Sequence, residues 1–301
     1  MAEKQCTARI ANILFATDLS EISAKALPYA AAFARRFAAE LCVLHVIAPE
    51  QTARANKGDQ SRRTSNRTEA ESRINRLLEA AHFRSVRHHV VLAEGDVLQE
   101  LASVAEQCHA DLLVLGMHGR HGIAKVLLGS VAEEILRLAE IPALIVGPDV
   151  VVRPEEELTV DKVLYAADFS PGCGRAMQYA AAIASAEHAR LLVLHVVSDA
   201  WKEPMSTRVR AEEYLRSRLL EKGWMTYIDP AQTDLMVDFG PAEDLIVQAA
   251  ERHRVKLIVL DLPPTTHPVL AAHLPGPMAY NVASHALCPV LAVRGSSKVP
   301  A

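Results

Sequence analysis

Residues 111–131 read DLLVLGMHGRHGIAKVLLGSV. A short apolar run, 112–115, stops at Gly116, and Gly119, Gly122 and Gly129 punctuate the segment from there to Ser130 and Val131. Glycines let successive backbone N–H groups face one way and approach an anion more closely than any residue with a Cβ allows. From Ser130 the text turns helical, SVAEEILRLAE, so a helix N-terminus with a hydroxyl at its mouth comes directly after the last glycine. Such an end carries unpaired N–H donors and a partial positive charge. The reading is a phosphate cradle.

Outward from this stretch, the chain is written twice. IANILFATDLS (10–20) recurs as DKVLYAADFS (161–170), and an offset of 150 places Asp18 on Asp168, Ser20 on Ser170, Tyr29 on Tyr179 and His45 on His195. In each copy the first strand leads to an alanine-rich helix, 24–39 and 176–189, then to a leucine- and valine-rich strand, 41–47 and 191–197. The first copy continues with a long polar loop, 50–68, and the second with a shorter one, 198–206. Both then give an amphipathic helix (69–83, 207–222), a strand (87–93, 232–238), a glycine (Gly95, Gly240) and a helix (97–107, 242–253). The fourth strands are 112–115 and 257–260, and the last strands come after Pro142 and Pro289 at 143–146 and 290–293. This regular alternation predicts an α/β fold: two tandem doubly wound, open, parallel five-stranded sheets with helices on both faces. The expected domains are 1–149 and 161–301, joined by a linker at 150–160 that carries Pro154 and three glutamates.

Composition narrows the function classes. Half of the 301 residues are apolar and 5% aromatic, and the formal charge of −4 lacks the basic excess of a general nucleic-acid or membrane-surface binder. The five cysteines form no CxxC or zinc spacing and read as reduced thiols of a cytoplasmic protein. No export signal opens the sequence and no apolar run is long enough to span a membrane. Thirteen histidines without an HExxH or paired i, i+4 motif predict no dedicated metal site. His45 and His195, at matched strand ends, are expected to make structural hydrogen bonds. Asp168 suits either a helix cap or base recognition.

Gly116, two residues, Gly119, nine residues, then Gly129 and Ser130 resembles the G-2x-G-9x-G-[ST] phosphate loop of ATP-binding universal stress proteins. ATDLS at 16–20, LHV at 44–46 and GSV at 129–131 are similar to the same family's other marks, so the resemblance covers nearly the whole chain. It implies that Asp18 accepts a hydrogen bond from the adenine amino group and that Val46 lies against the base. Gly116, His118 and Gly119 would line the ribose and phosphate passage, and Gly129, Ser130 and Val131 would hold phosphate. Ala16 stands where many members have proline. Lys125 and Arg120 suit either phosphate neutralisation or a solvated surface. The resemblance further implies ATP, with Mg2+ carried on its phosphates, little or no hydrolysis and no catalytic residue. It also implies a nucleotide-dependent stress-response or regulatory role through a protein partner. An intrachain pseudo-dimer paired through the last strands, and a homodimer of whole chains, are implied too.

Two other functions fit the fold class. An adenylating enzyme of the ATP-pyrophosphatase type would need a glycine- and serine-rich loop directly after the first strand, where this chain has TDLSEISA and ADFSPGCG. A nucleotide-free scaffold would need neither loop.

The second copy departs from the pattern. Asp261 stands in the place of Gly116, Pro264 in that of Gly119, and Gly276 and Pro277 lie opposite Gly129 and Ser130, within a loop of five prolines. Proline has no N–H to donate, and a carboxylate facing a triphosphate repels it. The expectation is one ATP per chain, held by the first domain.

Overall fold

In the computed structural model, residues 10–47, 60–80, 86–117, 132, 134–136, 140–151, 158–169, 174–197, 208–262 and 278–295 are described. The first half runs β1 (Asn12–Ala16), α1 (Glu21–Ala24), α2 (Leu27–Arg36), β2 (Glu40–Ile47), α3 (Gln60–Ala80), β3 (His88–Glu94), α4 (Val97–Gln107), β4 (Leu112–Gly116) and β5 (Ala143–Val146). The second runs β6 (Lys162–Ala166), α5 (Arg175–Glu187), β7 (Arg190–Val197), α6 (Arg208–Glu221), β8 (Thr233–Phe239), α7 (Ala242–His253), β9 (Leu257–Leu262), α8 (Met278–His285) and β10 (Val290–Arg294).

The two five-stranded halves are joined edge to edge in one ten-stranded sheet, in the order β3-β2-β1-β4-β5-β10-β9-β6-β7-β8. Pairing is parallel within each half. Among the described residues only the joint is antiparallel, with Leu144 opposite Leu291. The expected pairing of last strands is therefore observed. Its cause is that each half would otherwise present an apolar edge with unpaired N–H and C=O groups. Both faces of the sheet bury a core that runs across the joint. Phe15, Val114, Tyr165 and Val259 lie in one cluster, and Leu14, Leu115, Leu164 and Leu260 in the other.

Backbone proximity tightens the joint on one side. A Cβ on Gly147 would sit 1.9 Å from the Ala283 carbonyl oxygen, so the bare Cα lets α8 of the second half settle directly on the end of β5. The other side uses a long side chain. Arg294, 6% exposed, donates from Nη2 to the Leu136 carbonyl of the first half, and Arg175 Nη1 donates to the Glu140 carbonyl at 3.2 Å. Arg36 and Glu187 add an ion pair between α2 and α5.

Two local expectations need correction. The first helix is interrupted, because Pro28 near the start of α2 cannot donate to a preceding turn, and the chain restarts there after the one-turn α1. Residues 60–68, read as part of a loop, form the beginning of α3. That stretch has no apolar face to betray a helix. Glutamine and arginine nonetheless favour helix, and Arg67 pairs with Glu71 one turn on, at 3.4 Å.

Candidate functional site

In the first half the chain builds β1, β2 and β3 to one side and then β4 and β5 to the other, so the direction of winding reverses between β1 and β4. Ligands of such sheets sit beyond the carboxyl ends of the strands at this reversal. Ala16 ends β1 opposite Leu115, Val46 lies near the end of β2, and Gly116 ends β4 opposite Val146. The structure thus brings Ala16, Val46 and Gly116 to one edge on three adjacent strands. Ala16 and Val46 are partly buried against the cluster that contains Leu115.

The turn after β1 is held from several sides. Thr17, buried, continues the ladder by donating its N–H to the Leu44 carbonyl at 2.9 Å. Its hydroxyl meets Ser23 Oγ at 2.8 Å and accepts the Leu19 N–H at 3.0 Å. His45 Nδ1–H donates to the Thr17 carbonyl at 2.8 Å, the structural role expected of it. Ser20 caps α1 by accepting the Ser23 N–H at 3.1 Å. Asp18 projects from this rigid turn, exposed to solvent, with Oδ1 accepting the Ser20 N–H at 2.9 Å. Leu19 takes a left-handed φ of 62° to make the reversal.

Gly116 has a role that the glycine spacing did not reveal. A Cβ there would stand 2.6 Å from both the Ile22 carbonyl oxygen and Ser23 Cα. The one-turn α1 therefore rests directly on β4, and α1 in turn anchors the loop that carries Asp18. Thr17 and Ser23 are the residues that sequence reasoning missed. Their only signal was a small hydroxyl residue next to Asp18 and another five residues after it. His118, Gly119, Gly129, Ser130 and Val131 lie outside the described residues, as do Arg120 and Lys125. Downstream, Ala132 and 134–136 are helical, and Ala132, Ile135 and Leu136 are buried on the Leu115 face.

The second half repeats the backbone of the turn but not its chemistry. His195 Nδ1–H donates to the Ala167 carbonyl at 2.7 Å, and Phe169 has φ 57° in the place of Leu19. Burial pushes His195 down. Asp168 is exposed, as Asp18 is. Asp261, expected to face phosphates, is instead turned into the fold, where Oδ2 accepts the Tyr165 hydroxyl at 2.6 Å. Burial pushes its carboxyl up to about 7, against the opposing pull of Tyr165 and of the Gly174 and Ala176 N–H groups at the start of α5. Phe169 stacks on Trp224 with ring centroids 5.6 Å apart, touches His195 at 5.1 Å, and lies under the Arg218 guanidinium at 5.5 Å. Pro264, Gly276 and Pro277 lie outside the described residues.

Among the described residues no group of three or more histidine, cysteine, aspartate or glutamate side chains is arranged to hold a metal ion. No described helix is long and apolar enough to cross a membrane.

Comparison with known proteins places this geometry in context. The model of the Universal stress protein family matches residues 10–147 and again 159–294. A universal stress protein of Synechocystis sp. is 27% identical over 274 residues, covering 83% of this chain and 88% of the relative. One from Methanocaldococcus jannaschii is 30% identical over 137 residues, 45% of this chain and 81% of the relative. The crystal structure of a universal stress protein from Archaeoglobus fulgidus superposes with a TM-score of 0.72, covering 97% of this chain and 99% of that one, at 21% identity, which shows a shared fold.

Proposed function

The chain belongs to the universal stress protein family, and from that premise we propose that its first half binds one ATP at the carboxyl ends of β1, β2 and β4. The observation that carries this reading is the Asp18 turn, fixed by Thr17, Ser23 and His45 and aimed outward at the winding reversal. Asp18 offers a carboxylate to the adenine amino group, a pairing of acceptor with donor. Val46, partly buried on the neighbouring strand, offers apolar surface to the base. The residues present thus fit an adenine nucleotide. Its phosphates, with Mg2+, would extend toward the glycines of 116–131, which the sequence suits to anion binding.

The second half is the supporting partner. Its Phe169–Trp224 stack and the inward Asp261 fill the region with aromatic surface, and its loop carries five prolines that cannot donate. Nucleotide occupancy in the first half would then control a protein partner, in a cytoplasmic homodimer with little turnover. An adenylating enzyme is disfavoured by the turn after β1. There the hydroxyls of Thr17 and Ser23 and the cap of α1 close the chain tightly, where a phosphate loop would have to open.

The test is to denature purified protein, identify the released nucleotide and measure its ratio to chain. One ATP per chain, abolished by Gly129→Asp, is expected. A ratio of two, or the same nucleotide content in Gly129→Asp, would overturn the reading.

A further inference from the structure

At the opposite, amino-terminal edge of the first half's strands lies a cavity of about 310 Å3 whose lining includes Asn12, Glu40, Cys42, His89, Gln107 and Cys108. Cys42 is the third residue of β2, 2% exposed, and faces α4; His89 is its partner in the ladder on β3. Cys108 is the C-cap of α4, only partly buried, with Sγ 3.8 Å from the Ala105 carbonyl oxygen. The two thiols are free and stand on different elements, yet both line this one cavity. At the cavity wall His89 Nδ1–H donates to Glu40 Oε1 at 3.1 Å.

The second half shows that the fold does not require this arrangement. Leu192 takes the place of Cys42, opposite Asp234, and His253 takes that of Cys108 at the end of α7. The Glu40–His89 pair is replaced by the ion pair of Arg190 with Asp234. A leucine fills the site and an ion pair closes its edge, so the dithiol is a property of the first half alone.

We propose that Cys42 and Cys108 form an oxidation site for small hydroperoxides, with Cys108 the attacking thiolate and Cys42 the thiol that resolves it into a disulfide. Both thiols line the cavity and Cys108 is the more exposed of the two, which sets the order of attack. Cys42 is 2% exposed and Cys108 only partly buried, so a thiolate is better solvated on Cys108 and the proton stays on Cys42. In the first step Cys108 Sγ attacks the distal peroxide oxygen, the O–O bond breaks, and the leaving alkoxide takes a proton from solvent, giving a sulfenic acid and an alcohol. In the second, Cys42 Sγ attacks Cys108 Sγ and expels hydroxide, which leaves as water with the Cys42 proton. The two thiols lose two electrons and the peroxide gains them.

Cys288 is an internal control, since burial pushes its thiol up to about 12 and no second cysteine lies against it among the described residues. The experiment treats the full chain with hydrogen peroxide, alkylates it under denaturing conditions and maps the peptides by mass spectrometry. The expected result is joint loss of alkylation at Cys42 and Cys108, a linked Cys42–Cys108 peptide that dithiothreitol releases, and unchanged alkylation at Cys288. A Cys6→Ser/Cys173→Ser variant should give the same linkage. Cys42→Ala should leave a Cys108 sulfenic acid that dimedone traps, and Cys108→Ser should leave Cys42 fully alkylated. Persistence of both thiols under peroxide, loss at the rate shown by Cys288, or linkage of either one to Cys6 or Cys173 would overturn the proposal.

Discussion

The two halves make the same turn after their first strand and use it differently. In the first, Leu19 turns back with φ 62°, His45 holds the Thr17 carbonyl, and α1 rests on the bare Cα of Gly116. In the second, Phe169 turns back with φ 57° and His195 holds the Ala167 carbonyl, but Asp261 and Tyr165 occupy the interior and Trp224 stacks on the turn. Duplication preserved the backbone scaffold because its hydrogen bonds are local to the strand ends. The side chains that decide what can enter were free to diverge. Phe15 with Gly116 against Tyr165 with Asp261 is the clearest case. A carboxyl buried at the end of β9 comes with a hydroxyl on the strand beside it, where the first half has neither.

The comparison can be broken most forcefully at the joint, where the halves also differ. Gly147→Val should cost about 4 kcal/mol or more in urea unfolding, because its Cβ would overlap the Ala283 carbonyl and α8 must lift away. Stability within 1 kcal/mol or so of the wild type would show that the halves tolerate separation there.

Asp261 supplies the next largest effect. Its carboxyl is raised to about 7 in the folded chain, so the stability it contributes is complete below the unfolded value of 3.8 and is lost as pH rises toward 7. Asp261→Asn should therefore stabilise the protein at neutral pH by up to about 4 kcal/mol and flatten the stability profile between those limits. An unchanged profile would mean that Asp261 is ionised in the fold. Gly116→Asp, which transplants the second half's residue, should lose roughly 2–3 kcal/mol and nucleotide together, since α1 cannot stay on β4. Adding Phe15→Tyr should restore part of the stability but not the nucleotide. The mildest change is Asp18→Asn, whose amide oxygen can still accept the Ser20 N–H. Calorimetry should show ATP affinity falling about tenfold or more, with a stability change under about 1 kcal/mol.

Much of this was legible in the residue order. The strands 41–47 and 112–115 announced themselves as apolar runs, the first interrupted only by His45, and the structure extends each by one residue at one end. Val46 and Gly116 fall at strand ends, and Asp18 two residues beyond one, as the residue order led one to expect, because a strand end is a local event. The residues 60–68 were misread for an equally local reason. They mix glutamine and arginine with serine, threonine and asparagine and carry no apolar stripe, and the stripe was the signal sought. The close approach of α1 to Gly116 had no local signal, because the residues that meet there are more than 90 apart in the chain.

By itself the sequence determined the duplication, the βα alternation and the loss of donors from the second loop, since periodicity, glycine and proline act within a few residues of themselves. Only the tertiary structure decided the contacts between distant residues. It set the antiparallel register of Leu144 on Leu291, the inward turn of Asp261 to Tyr165, 96 residues away, and the placing of Cys42 and Cys108 on one cavity. Those contacts depend on which strands become neighbours, and strand order is fixed by burying both faces of one sheet rather than by any short stretch of the chain.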